Sequence, residues 1–429
     1  MFNIFVAYFL LWDIIEDMRK YIFKISAGAF VLASLLFFSC DGSVRKKSEY
    51  GVPFLKGTGI VRMDKFAVDQ VKAMKTGWNL GNTFEATNNI ERFTGQNVGV
   101  SSVRCWGMPE PKKELFDAIS KAGFKCVRIP VTWSNHICDK EYTIDPAWME
   151  KVRKFVDYAI EDGLIVIINI HHDNSYTEFD FKYGRGFYPT DKCYAESEKF
   201  VVRIWEQICE QFKDYSENDL VFETLNEPRL RYDPHEWSYD DTCERCREGM
   251  NCLNNLNQKA VDTIRSSGEA NGKRLIMIPS LAAAPGSAIA KEFRLPSDPA
   301  KRLSVSTHAY APYNFAMQKN RDGGLSKFTD GHKAELDRMF KDLNDKFVSK
   351  GVPVVMGEYG ATNKDNLEDR EEWTRCYVGG AKKYNICCVL WDNNSPNSPD
   401  ESDRYGFLNR NTCEWYFPTL IEETMKVFE

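Results

Sequence analysis

Eight short apolar runs, each followed by a stretch with helical spacing, constrain this chain more than any other feature. They occupy residues 76–82, 126–131, 164–170, 220–225, 274–279, 303–307, 353–356 and 387–391. A strand that is apolar at successive positions is buried on both faces, as in a parallel sheet covered by helices. Between the runs, Trp148, Val152, Phe155, Val156, Ala159 and Ile160 recur three and four apart. The same spacing appears in Phe200, Val201, Ile204, Trp205, Ile208 and Phe212, and again in Met339, Phe340, Leu343 and Phe347. Eight such units in series predict a closed (β/α)8 barrel, an α/β fold. The 429 residues accommodate one such barrel with inserted loops over residues 66–429. The weakest helix is the fifth, where Pro285 and Gly286 interrupt the pattern.

Ahead of the barrel the chain reads as a targeting segment. Arg19, Lys20 and Lys24 precede a largely apolar run, Ile25 to Phe38, followed by Ser39 and Cys40. The run is too short for a membrane span and suits a signal-peptide core over residues 1–40. A Cys placed directly after a small residue resembles the lipobox of bacterial lipoproteins, which predicts lipidation at Cys40. The chain is then exported and membrane-anchored, with ordinary secretion as the alternative, and residues 41–65 form a tether. The formal charge of −6 supplies no basic field for nucleic acid.

In a barrel of this kind functional side chains gather at the carboxyl ends of the strands. Seven of the eight runs end in groups able to bind hydroxyls or move protons. These are Asn82 and Glu85, Arg128, His171 and His172, Asn226 and Glu227, His308 and Tyr310, Glu358 and Tyr359, and Trp391 and Asp392. Two of the carboxyl groups, both glutamates at the ends of apolar strands, are the candidates for a catalytic pair. Glu227 closes the run Leu-Val-Phe-Glu-Thr-Leu-Asn-Glu-Pro that begins at Leu220, and Glu358 follows Val354, Val355, Met356 and Gly357. Strands four and seven lie across one mouth of a closed barrel, so the two acids are expected to face each other.

Facing carboxyl groups suit glycosidic cleavage, where one protonates the leaving oxygen and the other meets the developing oxocarbenium ion. A separation of roughly 5–5.5 Å is the spacing for a retaining mechanism. Arg128 and Tyr310 are placed to hold Glu358 ionised, leaving Glu227 the harder to ionise and so the acid. Asn226 suits the hydroxyl beside the attacked carbon, and Trp391 offers a flat face for a pyranose ring.

Seven ordered motifs carry a resemblance. They are Thr76-Gly-Trp-Asn-Leu-Gly-Asn-Thr-Phe-Glu, Val127-Arg-Ile-Pro-Val-Thr-Trp, Ile167-Ile-Asn-Ile-His-His-Asp, Phe222-Glu-Thr-Leu-Asn-Glu-Pro-Arg, His308-Ala-Tyr-Ala-Pro-Tyr, Met356-Gly-Glu-Tyr-Gly and Leu390-Trp-Asp-Asn. From about residue 66 onward the chain resembles glycoside hydrolase family 5, most closely its subfamily 4 of endo-β-1,4-glucanases, xyloglucanases and mixed-linkage glucanases. The resemblance implies a β-glucan substrate, Glu227 as acid/base and Glu358 as nucleophile. It further implies that Arg128, His171 or His172, Asn226, His308, Tyr310 and Trp391 complete the site. Asn82 and Glu85 match positions that contact sugar, and no cofactor or metal is implied. A β-mannanase on the same fold, or a glycan-binding lipoprotein without turnover, are the competing readings.

Other residues have plainer readings. Glu223 lies inside a buried strand and is expected to be a structural hydrogen-bonding carboxylate. Trp78, Trp133 and Trp205 are expected in the core, and Trp237 beside the cleft. Cys126, Cys209, Cys387 and Cys388 sit in apolar patterns as small buried hydrophobes. Cys243 and Cys246 form a CxxC pair without a second pair, so a local disulfide or free thiols is expected rather than zinc. Alternation along a strand would point one of His171 and His172 inward and the other outward.

Overall fold

The computed structural model describes residues 47–54, 60–87, 97–175, 177–178 and 186–429. Cys40, the signal segment 1–40 and the start of the tether lie outside the described residues. Each of the eight apolar runs forms a strand: β1 Thr76–Leu80, β2 Cys126–Ile129, β3 Ile165–Asn169, β4 Leu220–Glu223, β5 Ile276–Pro279, β6 Leu303–His308, β7 Val354–Tyr359 and β8 Cys387–Asp392. Every strand pairs in parallel with its neighbour in sequence, and β8 returns to β1 to close the barrel. The barrel has no free sheet edge, which removes the main route to strand-on-strand aggregation.

The longer helices are α1 Lys65–Met74 before β1, then α2 Glu114–Ala122, α3 Pro146–Glu161, α4 Tyr194–Gln211, α5 Glu244–Ser266, α6 Asp330–Lys346, α7 Leu367–Lys383 and α8 Pro418–Lys426. The fifth crossover is the short helix Pro285–Ile289, as its interrupted pattern implies. Local chemistry starts each helix where the sequence allows it. On α3 the Asp145 side chain accepts from the Ala147 amide at 2.9 Å, and Pro146 occupies the first position, where its missing N–H costs nothing. Its apolar stripe Trp148, Val152, Phe155, Val156 and Ala159 is buried against the barrel. On α6 the Thr329 hydroxyl and the His332 ring form a reciprocal capping box.

Strand boundaries differ from the sequence reading in two ways. Strands β1 to β4 end two residues early or nearly so, because at the carboxyl rim the chain leaves the ladder and turns into the loops. Strand β7 instead runs on to Tyr359, so Glu358 is held within a strand rather than after it. The pairing register slips between Thr307 and His308 and again between Met356 and Tyr359, a bulge around Gly357 that re-aims the side chain of Glu358.

The tether expected over residues 41–65 is also partly built into the barrel unit. Val52 is fully buried, and Asn251 and Asn255 on α5 both donate to the Pro53 carbonyl. Further on, the Met63 amide donates to Gly351, and Asp64 both caps α1 and pairs with Arg302 at 2.8 Å. An apolar side chain and satisfied backbone groups are what fix this stretch, and neither stands out in a charged, glycine-containing segment.

Candidate active site

Interior polar residues at the carboxyl end of the barrel form one network around Arg128. Its five N–H groups are all used. Nε and Nη2 donate to Glu223 Oε2 at 2.9 and 2.7 Å, Nη1 to Asn79 Oδ1 at 3.0 Å and to Glu358 Oε1 at 2.8 Å, and Nη2 to Asn226 Oδ1 at 2.6 Å. The guanidinium is completely buried, so only this full set of partners offsets the loss of hydration. Glu223 also accepts from Asn169 Nδ2 at 2.8 Å and from Ser306 Oγ at 2.5 Å. Burial pushes its carboxyl up, but Arg128, His308 and Ser306 outweigh burial and hold it at about 2. Glu223 is therefore a fixed charge that positions Arg128, in agreement with its structural reading.

Glu227 and Glu358 come together as the sequence requires. Each offers a carboxylate oxygen within 4.8 Å of the other and of a His308 ring nitrogen. Glu358 receives Arg128 on one oxygen and the Tyr310 hydroxyl on the other at 2.8 Å. Glu227 is bridged to His308 Nδ1 at 2.9 Å, and the same nitrogen lies 3.6 Å from Glu358. The side chains of Glu227 and Glu358 are 14% and 7% exposed, enough for a small group to reach them.

Two buried cations, Arg128 and His308, thus face three buried carboxyls. Burial opposes the charge on His308, yet Glu358, Glu223 and Glu227 together raise it to about 9, so the ring is an imidazolium at neutral pH. With Glu223 fixed as an anion, Glu227 and Glu358 titrate as a coupled pair beside these cations. Desolvation and the neighbouring charge of Glu227 push Glu358 up, whereas at Glu227 the hydrogen bond and charge of His308 outweigh burial and lower it. This order reverses the expectation that Glu227 is the harder to ionise. The reason is tertiary: His308 leans toward Glu227, which the sequence does not reveal. A protonated imidazole has no lone pair for a metal, so the trio does not make a cation site in this state.

The surrounding wall is aromatic. His171 lies near-parallel to Trp391, ring centres 6.1 Å apart, and its amide neighbour Asn169 Nδ2 sits 3.1 Å from His171 Nδ1. Burial keeps His171 neutral, well below the usual imidazole range. His172 packs edge-on against His171 and also against Trp106 at 5.7 Å. Both histidines stand at the mouth, because β3 ends at Asn169 and strand alternation no longer applies beyond it. Trp391 is half-buried on β8, with its ring close against Gly81, where a Cβ would come within 2.9 Å of it.

Asn82 sits just past β1 in a left-handed backbone conformation, φ 56°, with a half-buried side chain. Glu85 overturns its expectation. It is fully buried, and its carboxylate accepts from the backbone amides of Asn82 and Thr83, with the Thr83 bond at 2.9 Å. It shapes the turn after β1 instead of touching sugar, and burial first of all lifts its carboxyl to about 7. Trp78, Trp133 and Trp205 are fully buried, as are Cys126, Cys209, Cys387 and Cys388. Trp237 is 59% exposed and lies under the Arg229 guanidinium at 3.9 Å, in the loop that leaves Glu227. Asn79, Asn169 and Ser306 were missed by the sequence reading. Their signal was a polar residue at the inward-facing positions of otherwise apolar strands.

Residues 86–397 match the sequence profile of "Cellulase (glycosyl hydrolase family 5)". The chain belongs to glycoside hydrolase family 5. Among family 5 relatives, it is 39% identical over 366 residues to Endoglucanase B of Ruminococcus albus, spanning 85% of this chain and 81% of that one. It is 38% identical over 371 residues to Endoglucanase A of the same organism, spanning 86% and 94%. Solved family 5 structures superpose closely. A GH5 family lichenase from Caldicellulosiruptor sp. F32 gives a TM-score of 0.78 at 38% identity, covering 88% of this chain and 99% of that chain. A GH5-4 broad specificity endoglucanase from Ruminococcus champanellensis, with bound cellotriose, gives 0.76 at 35%, covering 85% and 100%.

Proposed function

We propose that this family 5 chain is a retaining endo-β-1,4-glucanase in which Glu358 is the nucleophile and Glu227 the acid/base. The observation that carries the reading is the pair of carboxylate oxygens within 4.8 Å of each other, bridged by His308. That closeness fits the roughly 5–5.5 Å carboxyl separation of retaining enzymes and falls short of the roughly 6.5–9.5 Å at which inverting enzymes place a water. Glu358 attacks the anomeric carbon from a site where Arg128 and Tyr310 stabilise its ionised form. Glu227 delivers a proton to the leaving oxygen. The His308 imidazolium, 2.9 Å away, holds the Glu227 carboxyl in place for that transfer. As positive charge develops at the sugar carbon, it favours the anion at Glu358, so that a proton held by the pair passes to Glu227. Water then attacks the glycosyl-enzyme with Glu227 as base.

Arg128 occupies the Asn226 amide oxygen, so its –NH2 is the group left to hold the neighbouring hydroxyl. Trp391 supports a sugar ring by stacking. Relatives named lichenase and broad specificity endoglucanase favour mixed-linkage and cellulose-type β-glucans as substrates, with xyloglucan as the finer reading. The test is to incubate the purified protein with barley β-glucan, carboxymethylcellulose, xyloglucan and mannan, and to follow reducing ends and product anomers. β-Anomers from the first two substrates are expected; α-anomers, or no product from any β-glucan, would overturn the reading. The basic, apolar run ending at Cys40 supports export and lipid anchoring at that residue. Cys40→Ser should release the protein from membranes, and unchanged membrane partition would reject the anchor.

A further inference from the structure

The CxxC pair at Cys243 and Cys246 gains a partner that its spacing does not announce. His235, eight residues upstream in the loop after β4, folds back so that one ligand atom from each of His235, Cys243 and Cys246 lies within 4.8 Å of the others. Cys243 is the N-cap of α5, and the Cys246 amide donates to its Sγ at 3.4 Å. Such N–H···S bonds are what a metal-bound thiolate accepts. Carboxylates flank the imidazole on both sides: Asp233 Oδ1 is 3.7 Å from Nδ1, and Asp240 Oδ2 is 3.8 Å from Nε2. Asp240 Oδ1 is already engaged by the Thr242 amide and hydroxyl, which leaves Oδ2 as the free oxygen of that group.

We propose that His235, Cys243 and Cys246 bind one zinc-class divalent cation, with Asp240 or a water as the fourth ligand. Two thiols, one imidazole and one oxygen are a zinc donor set, and tetrahedral zinc places such atoms about 3.3–3.8 Å apart. Binding releases the two thiol protons to solvent, and closing the 3.7 Å gap between Asp233 Oδ1 and Nδ1 would fix the tautomer that presents Nε2 to the ion. The sequence reading assigned no metal, because it looked for a second CxxC or a His pair and did not foresee a single histidine returning through a loop. The ion would clip the loop that carries Arg229 and Trp237 to the start of α5. That loop begins at Pro228, directly after Glu227, so the clip sets one wall of the cleft without touching the reacting atoms.

The test uses the whole exported protein, purified without chelators, its metal content measured and its zinc then replaced by cobalt. One ion per chain and thiolate–cobalt charge-transfer bands are expected. His235→Ala should weaken cobalt binding by at least about 100-fold, and Asp233→Asn by roughly 10-fold. Zinc removal should raise KM for polymer with kcat nearly unchanged, and Cys376→Ser, remote on α7, should change neither. A Cys243–Cys246 disulfide found in peptide mapping of the native protein would overturn the proposal. So would cobalt spectra lacking thiolate bands, or His235→Ala binding as tightly as the parent. Because the metal and spectral readouts are independent of turnover, they stand even if the protein cleaves no β-glucan.

Discussion

Arg128 makes five N–H bonds to four acceptor atoms, so truncating it leaves buried Glu223 without its guanidinium and with only Asn169 and Ser306 donating to it. Arg128→Met is expected to lower stability by about 3–5 kcal/mol, read by urea unfolding, and to cripple turnover as well. Glu358→Gln should abolish reducing-end release while calorimetry still detects cellooligosaccharide binding. A normal rate would mean that the nucleophile lies elsewhere. His308 makes a pH prediction with a definite sign. Its folded pKa, about 9, lies above the ordinary value of 6.5, so its contribution to stability is complete below about pH 6.5. That contribution disappears as pH rises toward 9. Thermal melts of the parent should therefore decline between pH 6.5 and 9, and His308→Asn should flatten the decline; an equal slope in both would reject the raised pKa.

At the scale of an element, β7 decides the geometry of the site. The bulge passes through Gly357, and that position is held to glycine because a Cβ there would come within 2.9 Å of His308 Nε2 and 3.4 Å of Glu223 Oε1. Gly357→Ala must push the imidazole off its hydrogen bond to Glu227. The expected result is a kcat loss on the order of 100-fold with a stability loss of only about 1–3 kcal/mol, measured by steady-state kinetics beside denaturant melts. A large kcat loss matched by global unfolding would point to the strand and not to His308. The strand itself was readable, as four apolar residues before Gly357. Its length was not, since the bulge depends on what lies across from it on β6 and β8.

For the whole molecule, the closed barrel brings residues from seven strands to one rim, and its N-terminal approach is part of the same body. A chain beginning at residue 66 loses Val52, the Pro53 contacts and the Asp64 cap with its ion pair to Arg302. It should be less stable by about 3 kcal/mol or more than a chain beginning at residue 47. Equal urea midpoints would return residues 47–64 to the status of a tether.

The sequence by itself determined the number and order of the strands, the barrel they close into, the two facing glutamates and most of the wall around them. It could do so because periodicity and strand-end chemistry are local, and barrel closure converts order along the chain into position around a ring. Only the tertiary structure decided that Glu85 turns to its own backbone, that both His171 and His172 reach the mouth, and that His308 donates to Glu227. It alone brought His235 to the cysteine pair. Each of these depends on which polar groups meet after folding, and a buried charge takes its protonation state from neighbours that are distant along the chain.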